Sequence, residues 1–347
     1  MRGILLTLTL MLALAVPANA LDIQAPEAPK DAAELMGEEA DSFGEGLWNV
    51  IKAALSSLDG SFREAMGVCL GAAAAVLLCS LLREVSTHFS SRAVELACTV
   101  AVAGLLLEPS SSLISLGLDT AVELSEYGKL LLPVMTGAMA AQGGVTASTA
   151  LYAGTALFDS LLSTLLSKLM RPMLFLFLAL AIGNSALKED LLGKMKDFIQ
   201  WGMGWVLKIV LYLFSGYMAV TGVVSGSADA AAVRAAKTAI STAVPVVGGM
   251  LSDASETVLV TAGTLGSAAG VYGILAVLAI FAGPAVRIGV QYLMLKGVGA
   301  LCTAFDGGGA AGLIGDFSSA MGLVLAMVST QTMMLMISTM CLMKGVG

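Results

Sequence analysis

Few side chains in this chain are of the kind that does chemistry, and their spacing narrows what they can do. Asp253 and Glu256 stand three residues apart, the D-x-x-E spacing of a capping box at a helix start. The same two carboxylates, set at membrane depth, would line a hydrophilic path, because ionisable groups are rare there and usually functional. Lys208 and Lys296 lie in otherwise apolar runs. Each can face a lumen, pair with a carboxylate or snorkel to the headgroups. Arg234 and Lys237 share one helix face, either solvated or turned to anionic lipid or a partner.

Catalytic and cofactor signatures are missing from this set. His88 is the only histidine, no H-E-x-x-H or G-x-S-x-G motif occurs, and Gly307-Gly308-Gly309 is not followed by G-K-[ST]. The chain therefore reads as a non-enzyme with no metal or cofactor. Its five cysteines (Cys69, Cys79, Cys98, Cys302, Cys341) lie inside apolar stretches without C-x-x-C spacing. They read as small membrane-helix residues and not as a disulfide framework.

The elements that hold these residues are set by composition. Of 347 residues, 57% are hydrophobic and 12% charged, about half the charged share of an ordinary globular domain. An all-α, polytopic membrane protein follows, with 39 glycines available for close helix contacts. Nine acids and two bases between Asp22 and Asp59 account for the whole net charge of -7. No basic stripe remains for nucleic acid.

Residues 1–20 carry Arg2, an apolar core and Ala18-Asn19-Ala20, the pattern of a secretory signal peptide. An uncleaved first span is the competing reading, and either one exports the acidic segment 21–62. A first helix group (63–225), an amphipathic segment (226–262) and a C-terminal group (263–347) complete the layout. Apolar runs at Ala65–Leu82, Val94–Leu107, Leu130–Phe158, Pro172–Leu187, Phe198–Val224, Leu265–Val286, Ile288–Phe305 and Phe317–Met343 predict six or seven spans, some broken.

Leu130–Phe158 is interrupted by Pro133 and Gln142-Gly143-Gly144, hence either one bent span or two half-length segments beside a cavity. Asp119, Glu123 and Glu126 predict an acidic outer loop, and Lys168 and Arg171 a basic cytoplasmic one. Alternation then places 227–261 on the cytoplasmic side. The methionine-rich end around Ser329-Thr330-Gln331-Thr332 lines a pore or, more economically, packs helix to helix. Gly67-x-x-x-Gly71 and Gly266-x-x-x-Gly270 suggest close crossings.

The run Lys237 to Ser241, then Val244-Pro245-Val246-Val247-Gly248, Leu251-Ser252-Asp253-Ala254 and Glu256 to Leu259, resembles the signature region of the stage III sporulation protein AE family. The likeness continues through Pro284 to Lys296. It marks Lys237, Ser241, Pro245, Gly248, Ser252, Asp253, Glu256, Pro284 and Lys296 as family signature positions. Such a resemblance implies a multi-pass component of the mother-cell membrane around the forespore. Its partners would be the sister stage III proteins and, through them, a forespore membrane protein, together forming a channel or feeding tube. A stand-alone secondary transporter is the alternative.

Overall fold

The computed structural model describes residues 26–30, 32–33, 43–85, 91–141, 145–220, 268–305 and 308–344. These form seven α-helices: α1 (Phe43–Val85), α2 (Ser91–Ala141), α3 (Val145–Leu165), α4 (Arg171–Leu187), α5 (Asp190–Val220), α6 (Ala268–Phe305) and α7 (Gly309–Lys344). A single turn of π-helix, Leu166–Met170, joins α3 to α4 without a break in the rod. No strand occurs among the described residues. The all-α class and the membrane reading both hold, with six rods long and apolar enough to cross a bilayer.

The rods are fewer and longer than the apolar runs, because charged residues between two runs do not stop a helix. Alanine, leucine and methionine carry the helix through them at little cost. In α2 the run Val94–Leu107 continues through Asp119, Glu123 and Glu126 to Ala141, so these acids sit on a helix and not in an outer loop. Glu123 and Glu126 are exposed on its surface. Lys168 and Arg171 likewise lie within the α3–α4 rod and not in a basic loop. The two runs either side of Arg287 are one helix, α6, and Pro133 is inside α2. Residues 130–158 are thus two half-length segments belonging to different helices. At 51 residues α2 is about 76 Å long, more than twice the roughly 30 Å hydrocarbon core.

The rods alternate in direction. Antiparallel pairing of α1 and α2 brings Cys79 and Cys98 together as a disulfide with Cα atoms 5.8 Å apart. The reading of all five cysteines as unpaired is corrected there: the two are 19 residues apart in sequence, and only the hairpin crossing aligns them. Cys69, Cys302 and Cys341 are buried and form no disulfide among the described residues. Tyr217 of α5 donates a 2.7 Å hydrogen bond to the Ala150 carbonyl of α3, fixing that antiparallel pair. Gly299 of α6 lies against the backbone of Gly315 in α7, a crossing where the missing side chains set the approach.

One end of the bundle collects the starts of α1, α3 and α6 and the ends of α2, α5 and α7. The segment before α1 docks at that end: Ala28 and Ala32 are buried, and the Ala28 N–H donates to the Tyr272 hydroxyl at 3.3 Å. The helix ends flanking 221–267 are both there. The amphipathic segment expected on the cytoplasmic side, residues 227–261, lies outside the described residues.

Helix α7 is the axis, with 94% of its span buried. Four of its buried hydroxyls return to its own carbonyls, Thr330 to Ala326, Thr332 to Val328, Ser338 to Met334 and Thr339 to Leu335, while Ser318 donates to the Tyr292 carbonyl of α6. Met321, Met327, Met333, Met336 and Met340 fill gaps between neighbours. This is the packing reading of the methionine-rich end. Gly67 and Gly71 face open space, so their spacing makes no crossing within the chain. Gly270 instead meets Met343, and Gly266 lies outside the described residues.

Candidate functional site: two polar stations along the axial helix

Polar side chains meet the buried α7 at two heights. The first lies near its start. Lys196 of α5 donates to Asp316 Oδ1 of α7 at 2.7 Å, with the exposed Asp197 carboxylate 3.8 Å from the same ammonium. Beside it Lys188 pairs with Glu95 Oε1 of α2 at 2.6 Å, and that oxygen also accepts the Gly309 N–H at 3.3 Å. Lys188 ends α4 in the left-handed conformation, φ 54°, with its N–H on the Asn184 carbonyl at 2.8 Å. Glycine usually holds that position. The ion pair to Glu95 offsets the strain of a lysine there. A cavity of about 470 Å³ opens between Asn184, Lys188, Lys196, Gly309 and Asp316. Each of its central acids has a lysine, so the station ties α2, α4, α5 and α7 together electrostatically.

The second station is deeper. Asp159 of α3 is 6% exposed and Gln331 of α7 fully buried. Ser125 Oγ of α2 donates to Asp159 Oδ2 at 2.7 Å, and Gln331 Nε2 donates to Oδ1 at 2.5 Å. Ser148, Leu151, Thr155, Asp159, Leu162 and Leu166 recur at helical spacing and form the buried face of the rod. Thr155, one turn before Asp159, has a buried hydroxyl with no hydrogen-bond partner among the described residues, as does Gln331 Oε1. Among the described residues no lysine or arginine lies within ion-pair distance of Asp159, in contrast to Glu95 and Asp316.

The signature positions fall elsewhere. Lys237, Ser241, Pro245, Gly248, Ser252, Asp253 and Glu256 lie outside the described residues, as does His88. Pro284 is half-buried within α6. Lys296 is exposed, its ammonium 3.0 Å from the Tyr292 hydroxyl and 5.3 Å from that ring's centre. It lies along its own helix and reaches no carboxylate among the described residues. Lys208 is exposed on α5. The sequence did carry a signal for the deep station that composition alone does not reveal. Asp159 is the only acid between Glu126 and Glu189, at the centre of an otherwise apolar helical face.

With this architecture in place the comparisons are decisive. A sequence profile of the family described as Stage III sporulation protein AE matches residues 32–345. The chain belongs to the stage III sporulation protein AE family. The match runs from the docked segment before α1 to the end of α7. Among curated proteins, the chain is 22% identical over 178 residues to Stage III sporulation protein AE of Bacillus subtilis (strain 168). That alignment covers 51% of this chain and 45% of the relative, so the chain spans less than half of the relative's length. No solved structure matches.

Proposed function

We propose that this chain is a noncatalytic, multi-pass component of the assembly that joins the mother cell to the forespore through a channel. Its site would be the mother-cell membrane around the forespore. Family membership over residues 32–345 is the observation that carries the reading. The bundle's polarity supports it. Segment 26–33, which follows the signal-peptide pattern, docks at one end, while Arg83, Arg92, Lys188, Lys194 and Lys196 gather at the opposite end. The excess of lysine and arginine at that end is what a cytoplasmic face carries. The other end then projects into the space between the two membranes, where sister stage III proteins and a forespore membrane protein would be met.

A deletion strain is expected to complete engulfment and then arrest, with heat-resistant spores lost and restored by the intact gene. Normal heat-resistant spore counts from the deletion would refute the role. The buried carboxylate at Asp159 favours a second reading, a secondary transporter acting alone. Solute movement by the purified protein in vesicles, driven by an ion gradient and without any partner, would select it.

A further inference from the structure

We propose that Asp159, Ser125 and Gln331 form a proton-binding site, with Gln331 as a partner able to serve both the charged and the neutral carboxyl. Asp159 is the one carboxylate of the three bound around α7 that lacks a lysine: Glu95 has Lys188 at 2.6 Å and Asp316 has Lys196 at 2.7 Å. An unpaired carboxylate in such surroundings is costly, and a proton is the smallest species that neutralises it. The first contacts are an O–H and an N–H, each aimed at a carboxylate oxygen. Donors directed at the carboxylate suit an anion or an acid, whereas a metal cation would be met by lone pairs.

The second observation is the vacant acceptor. Gln331 Oε1 has no partner among the described residues and sits on the same amide carbon as the nitrogen that donates to Asp159. When hydronium gives up a proton to Oδ1 and leaves as neutral water, a half-turn of the amide brings Oε1 to accept the new O–H. The freed NH2 group then turns away from the carboxyl. Thr155 Oγ1, also unpartnered and one helical turn from Asp159, is a further buried group on the same face. Ser125 Oγ keeps its bond to Oδ2 in both states. The site thus changes charge by one while the three rods that meet there, carrying α2, α3 and α7, stay in register.

The surrounding charges are few. On α2, Lys129 stands one turn past Ser125 with its side chain exposed, and its charge acts on Asp159 through space. Glu123 and Glu126 point outward on the same helix. Helix α7 has no ionisable residue between Asp316 and Lys344 other than the buried Cys341. On α5, Lys208 is exposed and Tyr217 is engaged with Ala150. The proposal rests on this geometry and not on the sporulation role, so either can fail without the other.

The test is pH-difference infrared spectroscopy of the full chain in phosphatidylglycerol and phosphatidylcholine vesicles. Among the protonated-carboxyl C=O bands that appear as pH falls and shift on labelling aspartate with carbon-13, one component should be lost in Asp159→Asn while those of the chain's other carboxyls remain. Ser125→Ala, which keeps Asp159 and removes one small hydroxyl, should retain the band and displace its midpoint by about one pH unit. It keeps the proposal falsifiable if Asp159→Asn does not fold. An Asp159→Asn spectrum that keeps every titrating carboxyl component, or a midpoint unmoved in Ser125→Ala, would overturn the proposal. So would a spectrum that responds to replacing choline by sodium at constant pH, because the site would then hold a metal cation.

Discussion

Replacing Gln331 by leucine is expected to destabilise the protein by about 3 kcal/mol, since a buried charged or strongly polar group is left short of a partner. The substitution matches in volume, so no cavity term is added. What is lost is the Nε2 donor at 2.5 Å from Asp159 Oδ1, with Ser125 remaining as the only bonded neighbour. Water cannot substitute easily at a residue 6% exposed. The effect should be read as a lowered midpoint of detergent- or heat-induced unfolding of the full chain in lipid. The double variant Asp159→Leu with Gln331→Leu should recover most of the loss, because replacing both partners of a buried polar pair by apolar groups is often near neutral. Equal losses in the single and double variants would show that Gln331 acts by packing and not through Asp159.

Asp316→Ala is expected to cost about 3 kcal/mol for the complementary reason, an ammonium left without its close counter-ion. The Lys196 side chain is 13% exposed and Asp316 is 16% exposed, so solvent repays little of the loss. Asp197, at 3.8 Å and 73% exposed, recovers only part of it. Exchanging the two charges, Lys196→Asp with Asp316→Lys, should restore more than half of the stability measured by the same unfolding assay. No recovery on exchange would mean that the station depends on local helix contacts and not on the pair.

How much of this was legible in the sequence differs between the levels of structure. Class was legible, since a chain with 57% hydrophobic residues over 347 cannot hide its lipid-facing helices. Crossing number was less so. Apolar runs end at charges, but helices end where backbone hydrogen bonds are surrendered, and Arg287 or Glu123 surrenders none. Hydropathy therefore divided α6 into two spans and set an acidic loop in the middle of α2. Ends with a chemical stop were placed better, as with Pro172 in the first turn of α4.

The candidate site was legible only in its parts. Gln331 was visible as one of four polar residues within a methionine-rich run, and Asp159 as a lone acid between two runs. Their meeting depends on α2, α3 and α7 crossing at one height, a relation between residues up to 206 positions apart that no local period encodes. The same holds for Cys79 and Cys98, paired by the α1–α2 hairpin. The resemblance to the family was drawn from the order of residues along Lys237 to Glu256, which needs no structure, and membership itself rests on the match over residues 32–345.

The central claim is the polarity of the bundle, with the starts of α1, α3 and α6 and the ends of α2, α5 and α7 facing the exported side. It is tested most directly by labelling single cysteines, placed in the full chain lacking its native five and inserted in the cell membrane of non-sporulating cells, with a membrane-impermeant thiol reagent on intact cells. Cysteines replacing Val220 and Lys344 should label from outside, and those replacing Glu84 and Glu189 should label only after the membrane is opened. Labelling of Glu84 and Glu189 positions in intact cells, with Val220 and Lys344 protected, would reverse the bundle and contradict the account.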